Sequence, residues 1–356
     1  LREKDSLVKG VPLPSGGKLR ISILREPATK HIGIDLSIND NLILANTLYL
    51  KENGENVVLI TKDINLRLKA DALGVEAEDY ETSEITMDEL YSGQRVFEIS
   101  AERLNDFEKN RFLELTEDEK KTFFANEYLI IHEKDVPAHR LLGRYHLKKG
   151  GIVPLIKTRE GVWGIHPKNI EQQFAMDALL NQEISLVSLV GKAGTGKTLL
   201  AIAAGLESAI GQQSFSRVLV SRPIVPMGRD LGFLPGDVNE KLGPWMQPIF
   251  DNIDFLFGNQ RANNQTTTWD ELINQGLLHV EPLTYIRGRS LPGQFMIVDE
   301  AQNLTPHEIK TIITRAGEGT KIVLTGDSEQ IDNPYLDSIN NGLVYCCLLY
   351  TSDAAD

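Results

Sequence analysis

Short apolar runs, each closed by a glycine or a polar group, recur along the second half of the chain. They alternate with segments whose apolar positions fall at helical spacing. SLVSLV (185–190), RVLVSR (217–222), FMIVDE (295–300) and KIVLTG (321–326) are the strand candidates. They are short, β-branched and apolar on both faces, as strands of a covered parallel sheet must be. EQQFAMDALL (171–180) and TLLAIAAGLESAI (198–210) carry helical spacing between and before them. Strand and helix in alternation, with a polar residue at each strand's C-terminal end, predict an α/β fold with a doubly wound parallel sheet.

The first 80 residues alternate in the same way. KLRISIL and NVVLITKD read as strands, NDNLILANTLYLKEN and INLRLKADALG as helices, the last closed by Gly74, so residues 1–80 form an α/β unit of their own. Between the two lies a segment of different texture, 81–168. It opens on an acidic helical stretch that includes TEDEKKTFF and continues through NEYLIIHE, HRLLGRYH, GGIVPLIK and GVWGIHP. Apolar runs separated by glycines predict a small β-rich region there. The resulting division is 1–80, 81–168 and 169–344, with 345–356 left over.

Charge alters this picture only locally. The chain of 356 residues carries a net charge of −13, but residues 76–119 alone hold fifteen Asp and Glu against four Lys and Arg. The acidity is therefore concentrated in one segment, and basic patches elsewhere remain free to track phosphates. No run reaches the ~20 apolar residues of a membrane span. The N-terminus, LREKDSLVKG, lacks the apolar core of a signal peptide, so the expectation is a cytoplasmic protein without a membrane partner. The two cysteines are adjacent, Cys346 and Cys347, which excludes a disulfide framework and a cysteine zinc site.

Chemistry enters where SLVSLV runs into GKAGTGKT. Gly191, Lys192, Ala193, Gly194, Thr195, Gly196, Lys197 and Thr198 form a complete P-loop between a strand and a helix. Such a loop cradles the phosphates of ATP in backbone N–H groups, adds a lysine charge, and offers a hydroxyl to Mg²⁺. About 100 residues on, FMIVDE delivers two carboxylates at a strand end. Asp299 is the candidate for holding Mg²⁺ and Glu300 for polarising the attacking water. KIVLTGDSEQ places Gly326, Asp327 and Gln330 after a third strand, Gln330 being a candidate to sense the γ-phosphate. Asn169 and Gln172 precede the loop by about twenty residues, and the Gln172 amide is a candidate to read adenine. Arg222, Arg287 and Arg289 are candidates for a transition-state arginine, and the Pro- and Gly-rich run RPIVPMGRDLGFLPGD (222–237) for a substrate loop.

Together NIEQQFA, GKAGTGKT, SRPIVPMG, IVDEAQNLTP and TGDSEQID resemble the PhoH-like ATPase family, related to the superfamily 1 helicases, over residues 165–345. SINDNLILA and VVLITKDINLRLKADALG resemble the PIN nuclease domain over 1–80. The resemblance implies a RecA-like P-loop NTPase preceded by a partial PIN-like domain, and ATP hydrolysis coupled to the remodelling and cleavage of single-stranded RNA. It also implies a homo-oligomer, with a hexameric ring as the expected assembly. PIN domains hold Mg²⁺ or Mn²⁺ on three or four acids. Here Asp40 and Asp63 match the later acids, Asp35 and Asp71 lie nearby, and the first aspartate has no counterpart, so the nuclease half reads as truncated. The tail VYCCLLYTSDAAD departs from the family and resembles read-through sequence. Two other readings stay open at this stage: a small-molecule P-loop kinase, and a nucleotide-gated binding scaffold without turnover.

Overall fold

The computed structural model describes residues 10–12, 16–21, 37–61, 63–78, 91–134, 136–158, 161–225, 238–261, 268–286 and 289–353. The fold divides into two compact units, Leu1–Glu84 and Ile85–Asp356.

In the first unit a short antiparallel pair, β1 (Val11–Pro12) and β2 (Lys18–Leu19), precedes a helix-strand-helix-strand run. Helix α1 (Asn39–Glu52) leads to β3 (Val58–Ile60), α2 (Ile64–Ala72) and β4 (Glu76–Glu78), with β3 and β4 parallel. Leu44, Leu48, Leu59, Leu66, Ala70 and Val75 form its core. Gly74 ends α2 at φ +71°, a left-handed turn open to glycine without a Cβ clash, and its N–H donates to Asp71 O at 2.9 Å.

The second unit begins with a mixed five-stranded sheet. Its strands are β5 (Gln94–Ile99), β6 (Leu113–Glu114), β7 (Tyr128–Glu133), β8 (Val136–His146) and β9 (Gly151–Pro154), in the order β5-β7-β8-β9-β6. Helices α3 (Ala101–Asn110) and α4 (Glu117–Lys120) lie between the first strands. The acidic stretch, expected to be a helical connector, thus carries two strands of this sheet as well. Alternate residues of those strands face a core that includes Leu104, Phe107, Leu129, Ile131 and Ile152, so the charges occupy the solvent face.

The other five-stranded sheet is fully parallel. Helix α5 (Ile170–Leu180) leads into β10 (Leu186–Val190), α6 (Lys197–Leu206), β11 (Val218–Arg222), α7 (Val238–Arg261), α8 (Trp269–Asn274), β12 (Leu278–Pro282), β13 (Phe295–Val298), α9 (Pro306–Ile313), β14 (Lys321–Gly326) and α10 (Gly342–Asp353). Strand order is β10-β14-β13-β11-β12. Helices cover both faces, which is why FMIV is buried at every position. Phe295, Ile297, Val218, Val220 and Val323 point into the core shared with α5, α6 and α7, whereas Met296, Val298, Leu219, Ile322 and Leu324 point into the core shared with α9 and α10. This is the doubly wound α/β sheet that the sequence predicts. Helix α6 lies close against it because Ala201, Ala203 and Ala204 are small; at Gly205 an added Cβ would stand 3.0 Å from the Phe295 ring.

Residues through Asp353 extend α10, which packs on α9, and Cys346 is buried in the second core cluster. Burial raises the Cys346 thiol pKa, and that of Cys347 to about 12.

Candidate functional site

The strand order decides where the chemistry meets. β14 pairs with both β10 and β13, so the residues after β14 emerge between the glycine loop and the Asp299–Glu300 pair. All these strands are parallel, and their C-terminal ends open on one edge of the sheet.

Gly191 to Gly196 form the loop, with Gly194 at φ +77° and Gly196 at φ +84°. These left-handed positions turn successive N–H groups toward one concavity and start α6 at Lys197. The ammonium of Lys197 donates to Gly191 O at 2.6 Å and Lys192 O at 2.9 Å, which holds it across the loop mouth. Thr195 Oγ1 donates to Lys192 O at 2.8 Å. Asp327, after β14, accepts from the Ala193 N–H at 2.9 Å and so fixes the outer arc of the loop.

Thr198 Oγ1 donates to Asp299 Oδ1 at 2.6 Å, and the fully buried Thr325 Oγ1 donates to the same oxygen at 2.6 Å. Asp299 is 5% exposed, and its own N–H donates to Ser221 O at 2.8 Å. A carboxylate buried this far needs compensation. The two hydroxyls supply part of it at Oδ1. With the Thr198 hydroxyl beside it, the pair presents hard oxygen donors of the kind Mg²⁺ takes.

Glu300 adopts φ +54°, ψ +43°, a left-handed conformation unusual for a residue with a side chain and one that costs of order 1–3 kcal/mol. The turn aims its carboxylate back along the strand end, where Arg222 Nη2 stands 3.5 Å from Oε1 and Gln302 Nε2 donates to Oε2. Gln302 is completely buried and is the hub of this corner. Its Oε1 accepts from Asp327 N at 3.2 Å and its Nε2 also donates to Gln330 O at 2.8 Å. At Gly326 an added Cβ would stand 2.4 Å from Gln302 Oε1, so glycine is required for β14 to pass the amide.

The sequence candidates are therefore gathered unevenly. Gly191, Lys192, Ala193, Thr195, Lys197, Thr198, Asp299, Glu300, Arg222 and Asp327 share one connected network. Gln330 is exposed, and its backbone carbonyl and N–H, not its side-chain amide, make the described bonds. The Gln172 amide bridges Lys168 N–H (2.7 Å) and Thr195 O (3.1 Å), which braces the loop and leaves one donor and one acceptor of the amide available. Asn169 caps α5 through the Gln172 N–H at 2.8 Å. Arg289 is engaged with Glu281 at 2.6 Å. Arg287 and residues 226–237 of the expected substrate loop lie outside the described residues.

In the first unit Asp40 lies in the opening turn of α1, and Asp63 caps α2 by accepting from Leu66 N at 3.1 Å. Asp71 is exposed in the last turn of α2, and Asp35 lies outside the described residues. Among the described residues no group of three or more His, Cys, Asp or Glu gathers to hold a metal, and no helix is long and apolar enough to cross a membrane.

Sequence reasoning missed Gln302, Thr325 and Asn303. Asn303 is buried and accepts from Asp332 N (2.7 Å) and Asn333 N (3.2 Å), shaping the turn after Gln330. Thr325 carried a signal as the polar residue inside the apolar run KIVLTG, whereas Gln302 and Asn303 follow the acidic pair as ordinary polar residues do.

A parallel sheet with a glycine loop on one strand, an acidic pair on another and a strand inserted between them defines a P-loop NTPase. A family model described as PhoH-like protein matches residues 164–353, and one described as PIN domain matches residues 4–81. A protein named PhoH2 from Bacillus subtilis is 45% identical over 354 residues, covering 97% of this chain and 79% of that protein. The PhoH2 of Mycolicibacterium smegmatis is 35% identical over 343 residues, 93% of this chain and 73% of that protein. A PhoH-like protein of Bacillus subtilis aligns over 149 residues at 40% identity, 42% of this chain and 44% of its own length. The chain belongs to the PhoH-like family, in the form that joins a nuclease-type PIN domain to an ATP-binding P-loop domain.

Proposed function

We propose that this protein hydrolyses ATP to remodel single-stranded RNA. The observation that carries this reading is the shared network of Thr198, Asp299, Glu300, Gln302 and Asp327, which links the glycine loop to two separate strand ends. A nucleotide bound at the loop is thereby joined to the parts of the sheet that lead into the following segments. Lys197 and the loop N–H groups hold the β- and γ-phosphates, and Thr198 and Asp299 hold Mg²⁺, which neutralises phosphate charge when bound. Glu300 orients and deprotonates the attacking water, and Arg222, 3.5 Å away, stabilises charge at the γ-phosphate. The strained backbone at Glu300 fits a residue positioned for chemistry. The free donor and acceptor of Gln172 suit an adenine edge, and Gln330, exposed beyond β14, suits a γ-phosphate sensor.

RNA is favoured over a small-molecule acceptor by the PIN match at 4–81. In that unit Asp40 and Asp63 are proposed as two acids of a Mg²⁺ or Mn²⁺ site that is incomplete beside the three or four acids of PIN nucleases, and the working assembly is proposed to be a homo-oligomeric ring in the cytoplasm. Measuring ATP turnover with and without single-stranded RNA tests the reading. Stimulation by RNA supports it, turnover that requires a metabolite acceptor supports a kinase, and nucleotide binding without turnover supports a scaffold.

A further inference from the structure

A cleft of about 500 Å³ lies between the mixed sheet and α5, with no residue of the glycine loop in its described lining. Among the described residues Arg111, Arg140, Lys157 and His166 line it, against a single acid, Glu108. This reverses the sign of a chain whose net charge is −13. The four side chains come from three separate places: the left-handed C-cap of α3, strand β8, and the segment joining β9 to α5. All four residues are exposed, and none makes an ion pair or side-chain hydrogen bond among the described residues. The three cations among them, Arg111, Arg140 and Lys157, gathered on one cleft of an acidic protein, call for an anionic ligand. The floor is apolar, with Leu141, Leu142, Leu155 and Met176. A volume in the small-ligand range of roughly 300–1,000 Å³, an apolar floor and a cationic rim together match a nucleotide, with its base on the floor and its phosphates on the rim.

We propose that this cleft binds a nucleotide of a single-stranded RNA as it crosses the second unit. The proposal rests on the RNA reading above and adds the place where RNA is held. The cleft is also wired to the ATP site. Its wall is pinned to α5 by the bond from Ile156 N to Asp177 Oδ1 at 2.7 Å. Asp177 is in turn held by Tyr128 OH at 2.9 Å and Arg144 Nε at 3.3 Å. Gln173 lines the cleft, and its neighbour Gln172 contacts the glycine loop through Thr195 O. RNA seated here therefore bears on the helix that braces the loop.

The test is the double variant Arg140→Gln, Lys157→Gln, with a melting curve to verify its fold. Binding of a labelled oligouridylate is followed by anisotropy across a salt series, together with ATP turnover. Each phosphate contact on a single strand contributes about 0.7 to the slope of log affinity against log salt. The variant is expected to lose about 1.4 from that slope and bind about tenfold or more weakly at low salt, with RNA-independent turnover unchanged and RNA stimulation reduced. Wild-type RNA binding with an unaltered slope in the variant overturns the cleft assignment and leaves the RNA reading standing. Competition by free uridine monophosphate in the wild type alone, without any change in RNA affinity, overturns it in favour of a small-nucleotide site. No RNA binding by the wild type overturns both.

Discussion

Replacing Gln302 by alanine removes a side chain that the structure shows to be completely buried and shared by three partners. The buried Asp327 N–H loses its acceptor, a cost of about 1–3 kcal/mol, and the bond to Gln330 O is worth about 1 kcal/mol more. The bond to the Glu300 carboxylate, being charge-assisted, adds at least another 1 kcal/mol. The total is about 3–5 kcal/mol, and at about 2–4 °C per kcal/mol for a domain of this class even the low end lowers the melting midpoint by about 6–12 °C. Because Glu300 then loses the amide that fixes its direction, kcat for ATP falls by about tenfold or more. Scanning calorimetry with steady-state ATP turnover at a temperature where the variant is folded measures both. A midpoint within about 2 °C of the wild type, together with a kcat within about twofold, refutes the hub role.

Four further outcomes follow from the same geometry. Lys197→Ala abolishes ATP hydrolysis, a loss of order 3–4 kcal/mol in transition-state stabilisation, with an unchanged melting curve; near-native turnover contradicts the loop assignment. Glu300→Gln retains nucleotide without turnover, whereas Asp299→Asn weakens Mg²⁺-dependent ATP binding, so equal loss of affinity in calorimetry denies them separate roles. Asp63→Ala destabilises the first unit by about 1 kcal/mol through loss of the α2 cap, and Asp63→Ser recovers most of it in a denaturant titration; equal stability of wild type and Asp63→Ala contradicts the cap role. Lys321 is buried, its ammonium donating to Ala178 O (2.6 Å) and Asn181 O (2.7 Å), and burial lowers its pKa to about 7. The unfolded chain therefore binds the extra proton between pH 7 and about 10.5, so stability rises with pH across that window, by at most about 1.4 kcal/mol per unit. Denaturant titrations of wild type and Lys321→Met at pH 6.5 and 9 test this by the difference in their pH dependence; a parallel response in the two contradicts it.

The central sheet was legible because its strands are buried on both faces and its glycine loop has fixed spacing. FMIV and KIVLTG announce themselves by apolarity alone, and GKAGTGKT by glycines that only a tight loop needs. The insertion of β14 between β10 and β13 was not legible, since parallel strands joined by long crossovers leave no trace of their order in the spacing of the chain. That order is what brings Asp327 to Ala193 and Gln302 to the turn after β14. Gln302 itself was hidden because a polar residue after an acidic pair reads equally well as solvent-facing; only its burial reveals the hub. The mixed sheet was visible as β-rich, but not its parallel β5–β7 pair, because the acidic residues of 94–119 mask the inward-facing half of each element. Asp63 shows a different ambiguity: an acid that fits a metal pattern also caps a helix, and sequence alone does not separate the two.

The central claim, that ATP turnover at this loop is spent on RNA, is tested most directly by displacement of a labelled strand from a short RNA duplex bearing a single-stranded overhang. The assay compares ATP, a non-hydrolysable ATP analogue, and ATP with the Glu300→Gln variant. The account predicts displacement by the wild type with ATP and none in the other two conditions. Brisk ATP hydrolysis with the overhang present and no strand displaced, or displacement that proceeds equally with the analogue, contradicts it.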